Sequence, residues 1–90
     1  MNLMYTILQW TPFPGVYKPI PLWQLQCAEY DLHMNRQCYH EQAIIVGQRG
    51  HDALYYYPYD HAQKIIEYCL KLYPFARFMI IGGMTTQHTN

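Results

Sequence analysis

Apolar positions in this chain recur with two periods, and the switches between them mark out the elements. Leu3-Met4-Tyr5-Thr6-Ile7-Leu8-Gln9-Trp10 is β-branched and aromatic, the composition of a strand. Its two faces, Leu3/Tyr5/Ile7 and Met4/Leu8/Trp10, are both apolar, as in a central strand covered on both sides. Residues 11–21 carry four prolines and a glycine and predict a loop, with a short extended piece at Val16-Tyr17. Pro21 suits the first turn of a helix. Beyond it, Trp23, Cys27, Tyr30 and Met34 fall on one helical stripe, and Leu22, Leu25 and Leu32 on a second. Trp23, Leu25 and Cys27 also alternate with Gln24 and Gln26 in the manner of a strand. The longer helical pattern predicts a helix over 21–35, ended by Asn35-Arg36-Gln37.

Gln42-Ala43-Ile44-Ile45-Val46-Gly47 reads as a strand, 48–52 as a turn, and Ala53-Leu54-Tyr55-Tyr56-Tyr57 as a returning strand closed by Pro58. Asp60 with Gln63 three residues on has the pattern of a capping box, with Asp in place of Ser or Thr. Ala62, Ile65, Ile66, Cys69, Leu70 and Tyr73 then form one apolar face, and Asp60/Lys64 and Glu67/Lys71 pair on the wet side. This pattern buries Tyr73 and exposes Tyr68. Pro74 stops the helix, Arg77 to Ile81 form the last strand, and Gly82-Gly83 end it. The order β-α-β-β-α-β is that of a ferredoxin-like α+β fold, a four-stranded antiparallel sheet with two helices on one face. One domain over residues 1–83 and a frayed tail over 84–90 are expected.

In such a fold one sheet face lies open to water and should alternate with polar residues. These strands do not alternate: Ala43/Ile45, Ile44/Val46, Phe78/Ile80 and Met79/Ile81 are apolar on both sides, and the tyrosine run puts Tyr55 and Tyr57 opposite Tyr56. The open face therefore carries an apolar, aromatic patch that something should cover. Three coverings fit: the Pro-rich segment 11–21 folding back with Phe13 and Tyr17, a second copy packed sheet to sheet as a homodimer, or a foreign protein. On this reading the contacts are Trp10, Tyr55, Tyr56, Tyr57 and Tyr59, with Arg49 as a polar anchor at the rim.

Composition narrows the choice. Six basic and six acidic side chains cancel among 90 residues, which removes a strong electrostatic attraction to nucleic acid or anionic membrane. No apolar run approaches a membrane span. Met1-Asn2-Leu3-Met4-Tyr5 lacks a basic n-region, so a cytoplasmic protein with Cys27, Cys38 and Cys69 as reduced thiols is expected. The chain contains no serine, which excludes serine hydrolases. Cys38-Tyr39-His40 with His33 supplies only one close ligand pair where structural zinc needs two, and no phosphate-cradling glycine motif occurs, so neither metal nor cofactor is expected.

Two alternatives to a contact protein have residues behind them. RNA-recognition motifs share this element order, and 49–56 matches their third-strand signature at Arg49, Gly50, Leu54 and Tyr56 but departs from it at His51, Asp52 and Ala53. His51-Asp52 and Asp60-His61 flank the tyrosine strand, and a ribonuclease-like enzyme using His51 or His61 would build a base and its orienter from these pairs, with Tyr55 or Tyr57 as the acid. Against that, Asp60 reads as a helix cap and His61 as a water-facing residue of the first turn. The expectation is a non-enzymatic protein-protein interaction module. Its size and composition fit a small stand-alone inhibitor of the kind phages or mobile elements encode against host defence or transcription complexes.

Overall fold

The computed structural model describes residues 2–35, 44–46 and 54–86. The elements run β1 (Asn2–Thr11), β2 (Val16–Pro19), α1 (Leu22–Met34), β3 (Ile44–Val46), β4 (Leu54–Tyr56), α2 (Tyr59–Leu72) and β5 (Phe78–Thr86). The α+β class of the sequence reading holds. β1 is central to a three-stranded antiparallel sheet of order β2-β1-β5. β3 and β4 pair with each other, Ile44 opposite Tyr56 and Val46 opposite Leu54.

The expected four-stranded ferredoxin-like ladder does not appear among the described residues, and the Pro-rich segment supplies a reason. Instead of a plain loop it forms a hairpin: residues 12–15 turn, and Leu8 to Thr11 pair with Pro19 to Val16. Gly15 makes that turn possible with φ +93, a region L side chains avoid. Its N–H donates to Thr11 O at 2.9 Å, and Thr11 Oγ1 donates to Val16 O at 2.7 Å. Pro19 is tolerated in β2 because, among the described residues, this is an edge strand of the sheet. β2 thus occupies the C-terminal half of one edge of β1. The N-terminal half of that edge meets the end of β4 at a single bridge, where Tyr5 and Tyr57 exchange two N–H···O bonds of 2.7 Å.

β5 runs past the point where glycines were expected to end it. Gly82 pairs with Tyr5, and the register shifts by one residue before Met84 pairs with Met4, so Gly83 is the extra residue of a bulge. A Cβ on Gly82 would stand 3.0 Å from a Tyr5 ring carbon, so glycine here makes room for a crossing tyrosine rather than stopping the strand. Met84, Thr85 and Thr86, expected in a frayed tail, belong to β5.

Both helices pack on one sheet face. Ile7 joins Ile20, Leu25, Ala28, Leu32, Tyr57, Ala62, Ile65 and Cys69 in the core, with Phe78 and Ile80 packed against it. α1 starts after Pro21 and ends at Asn35, whose side-chain Nδ2 donates to Asp31 O at 2.9 Å. Its buried side is Gln24, Leu25, Ala28 and Leu32, whereas Trp23, Cys27, Tyr30 and Met34 face outward. Ala28 and Ala62 are both fully buried in this core, where small side chains fit more readily than the bulkier stripe would.

α2 follows the predicted face in part: Ala62, Ile65 and Cys69 are buried and Ile66 half-buried, but Leu70, expected on that face, is exposed at its edge. The capping box does not form: Pro58 is the N-cap, and Asp60 lies inside the first turn, where its charge complements the helix dipole. The two tyrosines of α2 are reversed from expectation. Tyr73 is exposed because the helix ends at Leu72 and its periodicity no longer applies; Tyr68 packs against the core beside α1.

Candidate functional site

Register decides which side chains share the sheet face turned away from the helices. Directly opposed residues of an antiparallel pair point the same way. Ile7 opposite Ile80, and Gln9 opposite Phe78, lie on the helix-covered side. Thr6, Leu8 and Trp10 therefore lie on the other side, with Ile81 and Met79 from β5 and Pro19 and Tyr17 from β2. Met79 and Ile81 are exposed, Leu8 and Trp10 half-buried.

Trp10 is the organising residue of this face. Its backbone N–H donates to Arg77 O at 2.8 Å, which brings the Arg77 guanidinium to 5.1 Å from the indole centroid. Tyr17 meets the same ring edge-on at 5.2 Å. The hairpin turn lies close as well, since a Cβ on Gly15 would stand 3.8 Å from the indole. The result is a rigid aromatic-cationic cluster at one end of an apolar strip. Phe13, at the hairpin tip, is 92% exposed, so the Pro-rich segment does not fold its phenylalanine back over the sheet; Tyr17 and Pro19 are its residues on that face.

The remaining candidates divide. Tyr56 takes the open side, against Gly83, where a Cβ would stand 3.5 Å from its ring. Tyr55 packs half-buried against the core. Tyr57 is 3% exposed and is not available as a contact residue: its ring stacks on His61 at 4.9 Å with planes 9° apart. Tyr59 is exposed in the first turn of α2, edge-on to Tyr5 at 5.0 Å. Arg49, the expected rim anchor, lies outside the described residues, as does His51. Among the described residues the cation at the open face is Arg77, which the sequence reading used only as the start of a strand.

His61 is not the water-facing residue the sequence predicted. It is 2% exposed, and its Nε2–H donates to the Glu29 carboxylate, 2.5 Å away on α1. A buried ring held between a carboxylate and a stacked tyrosine ties α1 to α2 and to the end of β4. It lines no cleft. A shallow polar groove between the helices is lined by Asp31, Leu32, Lys64, Glu67, Tyr68 and Lys71. Deeper in the same seam, burial pushes the Cys69 thiol above its ordinary value; the Gln24 amide pulls weakly the other way, and Cys27 adds a smaller upward push.

Among the described residues no cluster of three or more His, Cys, Asp or Glu side chains is placed to hold a metal ion. No described helix is long and apolar enough to cross a membrane. Compared with protein-family models, with curated proteins and with solved structures, the chain matches none.

Proposed function

We propose that the protein acts by contact, binding another protein through the open face of the β2-β1-β5 sheet. The observation that carries this is the strip Leu8, Trp10, Met79 and Ile81, with Arg77 laid over Trp10 and Tyr17 buttressing it. Trp, Tyr and Arg in one preformed cluster are the residue types that dominate binding energy at protein interfaces. Rings already held by their neighbours lose little freedom on binding. A small, neutral protein presenting such a face fits an inhibitor that works by occlusion. Taken through the Tyr5–Tyr57 bridge, the strands would follow the order β5-β1-β4-β3, which is the ferredoxin-like order and extends this face toward Tyr56.

That extension favours one second reading, a single-stranded nucleic acid stacked on Trp10 and Tyr56. Affinity capture with the tagged chain, run with and without nuclease and repeated with Trp10→Ala and Tyr30→Glu, separates the two. A discrete protein partner that survives nuclease, is lost with Trp10→Ala and is kept with Tyr30→Glu supports the protein interface. A captured set that vanishes with nuclease, together with affinity falling steeply in salt, transfers the face to nucleic acid. Capture indifferent to Trp10→Ala removes the sheet-face reading altogether.

A further inference from the structure

The outer side of α1 presents a second apolar surface, independent of the sheet face. Trp23 is 56% exposed, Tyr30 69% and Met34 62%, and Cys27 stands exposed between them. Their spacing of four, three and four residues is that of a coiled-coil seam, with Trp23 and Tyr30 at d-type positions and Cys27 and Met34 at a-type positions. Among the described residues the core does not use this seam, since α1 is anchored through Leu25, Ala28 and Leu32 on its other side. Fewer than two heptads are present, so the seam serves one helix-helix crossing near +20° rather than an extended coil.

The geometry points to a second copy of the same chain as the occupant, docked antiparallel through α1. In an antiparallel pair, a-type residues meet d-type residues of the partner. With the two-fold axis between Cys27 and Tyr30, Trp23 of one copy meets Met34 of the other, and Cys27 meets Tyr30, each contact made twice. Both pairings set a large, stiff ring against a small or flexible side chain, the alternation that lets facing layers interdigitate. A parallel pair would stack Trp23 on Trp23 and Tyr30 on Tyr30 while leaving a gap at Cys27. The exposed fractions leave roughly 500 Å² of side chain free on each copy, about 1,000 Å² for the pair, which reaches the threshold of a specific interface at its weak end. Zero formal net charge leaves no long-range repulsion between copies.

The test is the mass of the full chain by sedimentation at about 100 μM, the range in which an interface of this size associates. The expected result is a species of twice the 10.8 kDa chain for wild type and for Trp10→Ala, and a monomer for Tyr30→Glu with its circular dichroism unchanged. A persistent 10.8 kDa wild-type species, or a dimer that Tyr30→Glu leaves intact, overturns the proposal. Orientation is read by oxidation in a Cys27→Ser, Cys38→Ser background. Protein carrying Trp23→Cys should cross-link with protein carrying Met34→Cys. It should not cross-link with itself, because an antiparallel pair holds the two positions 23 about 16 Å apart along the helix. Self-cross-linking of Trp23→Cys overturns the antiparallel arrangement. Since Trp10→Ala tests the sheet face and Tyr30→Glu the helix seam, either reading can fail without the other.

Discussion

α1 and α2 lie against the same core, yet their outer surfaces have little in common. α2 turns Gln63, Glu67 and Lys71 to water, while α1 turns out Trp23, Cys27, Tyr30 and Met34. A helix with charges on one side has a single way to sit on a sheet, because rotating it would bury those charges. A helix with two apolar stripes has two. In α1 the slimmer stripe went inside, where Ala28 and Ala62 are both fully buried. The larger rings were left out by the packing. The lesson is that the outer surface of α2 follows from its role in the fold, and the outer surface of α1 does not.

The sharpest way to break that comparison is to truncate each side of α1 in turn. Leu25→Ala removes a side chain from the core and should cost about 2–5 kcal/mol, checked by urea unfolding. Trp23→Ala, measured dilute enough to keep the chain monomeric, should change stability by no more than about 0.5 kcal/mol. Equal losses from the two would show that the outer stripe is structural after all. His61→Ala comes next. It removes the bond to Glu29 and the stack on Tyr57, and a loss of about 2–3 kcal/mol is expected. A neutral result would mean that the contact between the helices rests on the apolar residues alone.

The same contrast explains how much could be read from the sequence. α2 was legible because its burial and charge patterns largely agreed, and β1 because its run is β-branched and aromatic. The helix at 22–34 was legible as a helix, but its rotation was not, since both stripes share one period and the choice depends on the core it joins, which includes Ala62 and Ile65 from far along the chain. β2 was hidden by prolines that only an edge strand accepts. β5 was cut short because Gly82-Gly83 reads as a terminator, while Tyr5 is what requires the glycine. His61 was misplaced for a similar reason: its partner Glu29 lies 32 residues upstream, and local signals described only the cap. The one sequence signal for it was an acidic residue, Glu29, next to the Leu25/Leu32 stripe. Of the residues expected on the sheet surface, Trp10 lies on the open face and Tyr57 in the core, and Arg77 was overlooked because its place over Trp10 depends on strand register.

A smaller effect of opposite sign is expected from Gln24→Leu. Gln24 sits on the buried side of α1, and its buried Nε2 meets no oxygen or nitrogen acceptor among the described residues, only the weakly accepting Cys69 sulfur. A leucine of similar volume removes the desolvated donor and keeps the packing, so unfolding should become harder by about 1 kcal/mol. A loss of stability instead would show that the amide holds the Cys69 sulfur in place.

The least effect on stability at neutral pH, and the most specific, concerns the two described cysteines, one on each kind of surface. Cys27 is exposed on the outer stripe and should react with a disulfide reagent in the folded protein. Cys69 is fully buried, so its labelling should wait for opening of the fold. Burial also raises the Cys69 thiol above its ordinary value of 9.0, so the folded chain holds that proton more tightly than the unfolded chain does. The stabilisation is therefore fully present below the unfolded value and is lost as pH rises through the raised one. Comparing urea midpoints of wild type and Cys69→Ala from pH 7 to about pH 10.5 isolates this term, since tyrosine and lysine titrations are common to both. The advantage of wild type should shrink above pH 9; two curves that stay parallel would place the Cys69 thiol in contact with water and undo the assignment of this side of α2 to the core.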